Sequence, residues 1–162
     1  MRAEPNLPPE ALAAIRAPFL ATGAEPVDAP ILQPLALILE LAGEAMRARL
    51  FVVQAEGGQD TCLRPDFTVP VVRQHLDSGK LAGRYVYEGK AFRASPDADR
   101  PEEFRQIGLE RFDDAAAPVA PADAEIAALA WTAALAGGRD DLSLWLGDIA
   151  LFAAFIDDQG LA

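Results

Sequence analysis

One cysteine and one histidine in 162 residues exclude several kinds of chemistry at the outset. A lone Cys62 cannot close an internal disulfide, and with His75 it cannot assemble a zinc site of the usual four-ligand kind. The expectation is a protein without metal or cofactor in a reducing, cytoplasmic setting. Base is also scarce, with 14 Lys and Arg against 25 Asp and Glu for a net charge of -11. Phosphate contacts need clustered cations, so no nucleic-acid partner is expected. No apolar run reaches membrane-spanning length and no secretory leader pattern opens the chain, so no membrane partner is expected either. His75 lies in the polar stretch Arg73-Gln74-His75 and reads as a surface residue, and with Ser78 it has no acid placed to orient it for a triad.

Apolar residues make up 51% of the chain, enough for the core of one domain over residues 1–162. Pro8-Pro9-Glu10 opens a helix carrying Leu12, Ile15, Phe19 and Leu20, which Pro18 should kink or end early. Ala24 to Ala29 reads as extended, because Pro30 keeps the residue before it out of the helical region. Ile31 to Leu41 follows as an apolar helix, with Leu35, Ile38, Leu39 and Leu41 buried against either its own core or a second subunit. Leu50–Gln54 and Thr61–Arg64 form strands joined through Glu56-Gly57-Gly58-Gln59, with Cys62 as a small buried hydrophobe. A helix bearing Val69, Val72, Arg73 and Leu76 then runs to Ser78-Gly79. Asp66 or Thr68 either caps this helix or stands at a pocket edge.

Beyond an Ala/Pro linker from Ala115 to Pro121, Asp123 should cap a helix from Ala124 to about Leu135 with Ile126, Leu129 and Ala130 inside. Leu142–Leu146 reads as a strand, and Gly147-Asp148 starts a last helix that buries Ile149, Leu151, Phe152 and Phe155. Trp131 and Trp145 fit core positions. The alternation of hairpins and helices predicts an α+β fold, a mostly antiparallel sheet flanked by helices.

The longest strand pair is Tyr85–Arg93 with Glu103–Phe112, joined by a Pro- and Asp-rich loop too long for a tight turn. Side chains two apart share a face, so Phe104, Gln106, Gly108 and Glu110 point one way and Arg105, Ile107, Leu109 and Arg111 the other. Gln106 and Glu110 flank a Gly gap. That suits a flat, ammonium-bearing ligand, or else a solvated outer face. Lys90 and Arg105 should pair with Glu88 and Glu103.

Three segments in order, Asp28-Ala29-Pro30-Ile31-Leu32, Leu63-Arg64-Pro65-Asp66-Phe67-Thr68, and Phe92-Arg93 on to Glu103-Phe104-Arg105-Gln106-Ile107-Gly108-Leu109-Glu110, resemble the class II aminoacyl-tRNA synthetase core of histidyl-tRNA synthetase. They are most similar to that enzyme's paralogue family, the regulatory subunits of ATP phosphoribosyltransferase. The resemblance implies that Pro30 belongs to the dimer-forming motif 1, that Arg93 is the motif 2 arginine, and that Asp66, Thr68, Arg93, Gln106 and Glu110 bind histidine. It implies a non-catalytic role with no catalytic residues: feedback control of the first step of histidine biosynthesis, beside a catalytic subunit, within a homodimer. Departures from the ligase favour that branch. Asp66 and Gln33 stand where the ligase has Glu, and Asp97 and Asp99 give the short loop a sign that repels a triphosphate. Motif 3 and an anticodon-binding domain are lacking, so an incomplete core is expected, an N-terminal piece or a shortened member. The alternative is a fragment of an active synthetase that adenylates histidine.

Overall fold

The computed structural model describes residues 1–54 and 57–160. Its elements in chain order are α1 (Pro9–Leu20), β1 (Glu25–Pro26), β2 (Leu32–Pro34), α2 (Leu35–Ala42), a 3-10 helix (Glu44–Arg49), β3 (Val52–Val53), β4 (Thr61–Leu63), α3 (Thr68–Ser78), β5 (Gly83–Phe92), β6 (Glu103–Phe112), α4 (Val119–Ala136) and α5 (Ile149–Asp158). They form two three-stranded sheets, one in the order β1-β5-β6 and the other β2-β4-β3. Among the described residues the named strands pair antiparallel except for the short parallel β1-β5 contact, so the expected α+β layout stands.

The long hairpin β5-β6 runs in unbroken register from Gly83 opposite Phe112 to Phe92 opposite Glu103. Alternation gives its two faces different work. On the back face Val86 joins Phe19, Ala24 and Ala133, with Ile15, Ile107, Leu109 and Leu129 packed around them, which docks α1 and α4 on the sheet. Arg84 and Arg111 both bind Glu125 of α4 and fix that helix laterally. On the front face Tyr85 and Tyr87 pack with Val27, Ala29, Phe67 and Val71. A third cluster, Leu35, Ile38, Leu39, Leu50 and Cys62, holds α2 against the small sheet. The predicted pairs Lys90–Glu103 and Arg105–Glu88 form at 3.2 and 2.6 Å. Cys62 is fully buried and burial pushes its thiol up, so it holds little thiolate. Iodoacetamide should therefore label Cys62 at least about tenfold more slowly in the folded chain than in urea, followed by intact mass. Equal rates would contradict its burial.

Several expectations give way to the structure. Pro18 does not end α1 early. It lies in the last turn, and the helix continues to Leu20. α2 starts only at Leu35, because residues 32–34 pair with β4, and Leu41 faces outward. The turn expected over Glu56-Gly57-Gly58-Gln59 begins outside the described residues, while Gly57 takes the positive φ of 70° that such a turn uses. α4 begins at Val119, not at a cap on Asp123. Pro121 falls in its first turn, where a missing N–H leaves no bond unmade, and Ala130 is exposed.

α4 is also, by length and composition, apolar enough to cross a membrane, which the sequence reading did not credit. Its Glu125 pairs and its packing on α1 account for the helix as a docked layer. Residues 142–146 form no strand among the described residues, and Trp145 is 90% exposed, not a core residue. Trp131 is also partly exposed. Asp148 caps α5 as expected, its carboxylate accepting from the Ala150 N–H, but Ile149, Leu151, Phe152 and Phe155 are exposed. His75 is not a surface residue. It is buried, stacks on Phe112 at 4.1 Å and meets the Tyr85 hydroxyl through Nδ1 at 3.0 Å.

Candidate functional site

The front face of β5-β6 carries Tyr85, Tyr87 and Gly89 opposite Glu110, Gly108 and Gln106. Thr68, at the start of α3, meets this face. Its hydroxyl donates to Glu110 Oε1 at 2.8 Å and makes no cap bond, so Thr68 does not cap α3. Tyr87 links the strands. Its hydroxyl donates to Glu110 Oε1 and accepts from Gln106 Nε2, both at 3.4 Å.

The Gly gap between Gln106 and Glu110 has a local cause. A Cβ on Gly108 would lie 2.5 Å from the Tyr87 hydroxyl, so the gap is where the tyrosine ring lies across the strand. Tyr87 in turn stacks on Phe67, at 4.6 Å between centroids with the ring planes nearly parallel, and the Arg64 guanidinium covers the other side of Phe67 at 3.9 Å. Arg64 is buried. It donates to the Lys90 carbonyl at 2.7 Å and to the Ala29 carbonyl, tying three segments beneath the site.

At the other end, Arg93 Nε donates to the Pro65 carbonyl at 2.8 Å and its Nη2 reaches Asp66 Oδ2 at 3.4 Å. Its guanidinium lies over Phe104. Burial, then the charge of Glu110 and, more weakly, that of Asp66, push the Tyr87 phenol up, so it stays a donor at any ordinary pH. Asp66 Oδ1 and Gln106 Oε1 are buried and have no hydrogen-bond partner among the described residues. A buried acceptor without a donor costs about 1–3 kcal/mol, so each is a position where a ligand donor is favoured.

The contacts among the expected residues fall into two groups, Arg93 with Asp66, and Thr68 and Gln106 with Glu110 directly or through the Tyr87 hydroxyl. Pro30 belongs to neither. It lies on the surface before β2, and its carbonyl accepts from the buried Gln33 side chain at 2.6 Å. Sequence reasoning missed Tyr87 and Arg64. The alternation of β5 puts Tyr87 on the Gln106 face once the hairpin register is fixed, whereas nothing local marks Arg64 as buried.

A hairpin-floored sheet with helices behind it is the class II aminoacyl-tRNA synthetase core, here incomplete. Over 86% of its length the chain superimposes on the ATP phosphoribosyltransferase regulatory subunit/histidyl-tRNA synthetase from Bacillus halodurans, with a TM-score of 0.69 at 24% identity, covering 37% of that chain. It also superimposes over 86% on a pyrrolysyl tRNA synthetase from Desulfitobacterium hafniense, with a TM-score of 0.68 at 16% identity and 48% of that chain covered.

Residues 8–162 match the family described as Histidyl-tRNA synthetase, and the chain belongs to that family. The ATP phosphoribosyltransferase regulatory subunit of Rhizobium etli (strain CIAT 652) is 40% identical over 154 residues, 94% of this chain and 40% of the relative. The protein of the same description from Brucella ovis is 39% identical over 150 residues, 91% of this chain and 39% of the relative. The chain therefore spans about two-fifths of the length of the curated relatives it matches.

Proposed function

We propose that this domain is the histidine-sensing part of an ATP phosphoribosyltransferase regulatory subunit, performing no chemistry of its own. One observation carries the reading: two buried acceptors without donors among the described residues, Asp66 Oδ1 and Gln106 Oε1, belong to a set of side chains whose carboxylates outnumber its arginine. Such a site favours a small ligand with a cationic, hydrogen-bond-donating end, and the amino group and imidazole of histidine supply both. Arg93 keeps N–H groups beyond those given to Pro65 and Asp66, which can meet the ligand's carboxylate.

Feedback follows if histidine binds one state of a hetero-oligomer with the catalytic subunit better than another, since a ligand shifts an equilibrium only by its differential affinity. Pro30 and α2 belong, on this reading, to the homodimer contact, and the complex works in the cytoplasm. Histidine activation with ATP finds less support. The loop after Arg93 presents Asp97 and Asp99, and the cations close to it are already engaged, Arg100 at 3.4 Å from the Asp97 carboxylate and Arg2 on the Ser95, Asp97 and Arg100 carbonyls.

Calorimetric titration of the chain with histidine tests the reading. A saturable heat that is absent with leucine is the expected result. No heat from a chain shown to be folded overturns histidine sensing by this domain, and histidine-dependent ATP–pyrophosphate exchange would restore the ligase alternative.

A further inference from the structure

The segment before α1 has no part in the histidine site, yet it is bound closely to the loop that follows Arg93. Ala3 pairs in parallel with Glu103 at the free edge of β6, and the Glu4 N–H donates to the Glu103 carbonyl at 2.8 Å. The Glu102 and Glu103 N–H groups both donate to the Arg2 carbonyl, at 2.8 and 2.9 Å, and Glu4 accepts from the Arg105 N–H at 2.5 Å. Residues 2–4 thus bridge to the outer edge of the large sheet at β6.

The Arg2 side chain does something different. Its Nε donates to the Arg100 carbonyl at 3.1 Å, and its Nη2 donates to the carbonyls of Ser95 at 2.9 Å and Asp97 at 2.8 Å. Three carbonyls of one loop converge on one guanidinium. The loop's own bonds are local: Asp97 N–H to Ser95 Oγ, Asp99 N–H to Asp97 Oδ1 and Arg100 N–H to the Asp97 carbonyl. Among the described residues, every hydrogen bond that residues 95–100 make to a group outside the 94–102 loop comes from Arg2. The loop's ends are held elsewhere, Ala94 by the Arg49 carbonyl and Arg93 by the Glu102 carbonyl. Its centre therefore rests on one side chain.

We propose that Arg2 is a positioning residue: its guanidinium organises the 94–102 loop, and the loop sets the placement of Arg93 at the ligand site. A planar fork with fixed donor directions suits this, because it addresses three carbonyls at once, which a lysine ammonium on a flexible stem does less well. The contact has a sign as well, since the Glu102 carboxylate lies 3.6 Å from the Arg2 guanidinium. The first half of the proposal, that Arg2 holds the loop, is independent of what the site binds. The second half rests on the histidine reading above.

Hydrogen exchange of the intact chain, followed residue by residue in wild type, Arg2→Ala and Arg2→Lys, separates the two. In Arg2→Ala the amides of Asp97, Asp99 and Arg100 should exchange about tenfold faster, while those of β5 and α4 and the midpoint of global unfolding stay unchanged. Arg2→Lys should restore only part of the protection. Histidine affinity measured on the same samples should fall roughly three- to tenfold in Arg2→Ala, tracking the loop and not global stability. Unchanged exchange at 97–100 in Arg2→Ala overturns the proposal. Faster loop exchange with unchanged histidine affinity overturns its coupling to Arg93. A wild-type chain that binds no histidine overturns the histidine reading and the coupling together, and the exchange result still decides whether Arg2 holds the loop.

Discussion

Replacing Gly89 by alanine should lower the unfolding free energy by about 2–3 kcal/mol, although alanine is otherwise the better strand residue by roughly 0.5–1 kcal/mol. The competing effect is steric. A Cβ at position 89 would lie 2.6 Å from Arg64 Nη2 and 2.7 Å from the end of the Phe67 ring. Neither neighbour yields readily. Phe67 is fully buried between Tyr87 and Arg64, and Arg64 is itself buried with its donors committed to the Lys90 and Ala29 carbonyls. Moving the guanidinium leaves two backbone carbonyls short of a donor and a charge without its place, which overpacking of a purely apolar site would not do. Urea unfolding reads the result as a lower midpoint at constant slope, and heating should show a drop of about 5–10 °C for a chain of this size. Phe67→Ala, which removes the clashing ring and its packing, should cost about 3–5 kcal/mol alone and reduce the further cost of Gly89→Ala to the part set by Arg64. A Gly89→Ala protein as stable as wild type would mean that Arg64 and Phe67 are not fixed as the fold has them.

Gly89 also shows what could and could not be read in advance. The hairpin was legible because two long runs with period-two alternation fix which residues share a face, and β5 and β6 fall within two residues of expectation. Gln106, Gly108 and Glu110 on one face, and Ile107 and Leu109 on the other, follow from that alone. Contacts between segments distant in sequence were not legible. Thr68 has the chemistry of a cap, and only the approach of α3 to β6 turns its hydroxyl toward Glu110. His75 looks polar among Arg73 and Gln74, yet α3 presents those to solvent and lays the imidazole on Phe112, 37 residues later.

The C-terminal region misled in the opposite direction. Apolar residues at helical spacing around Phe152 predict burial, but burial needs a surface to pack against, and none of the described residues covers Ile149 or Leu151. Asp123 failed as a cap because Pro118 already supplies an extended residue from which α4 starts. Local chemistry thus located the strands and most helices of the first 112 residues, while the partners of individual side chains had to come from the fold.

Glu110→Gln should weaken histidine binding by about 10- to 100-fold, the factor that corresponds to losing one charge-assisted hydrogen bond of roughly 1.5–3 kcal/mol. The substitution keeps the shape. Thr68 can still donate at 2.8 Å to the remaining carbonyl oxygen, and Tyr87 keeps an acceptor, so the fold has no reason to change. What is lost is negative charge on the carboxylate that shares the Tyr87 hydroxyl with Gln106, whose Oε1 has no partner among the described residues. The new amide also brings two N–H donors to a site that favours donors on the ligand. Partial solvent access at Glu110 tempers the effect and sets the lower end of the range. Histidine should therefore lose affinity steeply while its analogue without the α-amino group, imidazolepropionate, loses little, if Glu110 meets the ammonium. Equal losses for both would place the ammonium at Asp66 and the imidazole at Glu110. Unchanged affinity for histidine in Glu110→Gln would remove Glu110 from the site altogether, and with it the claim that the Gln106–Glu110 face is where the ligand lies.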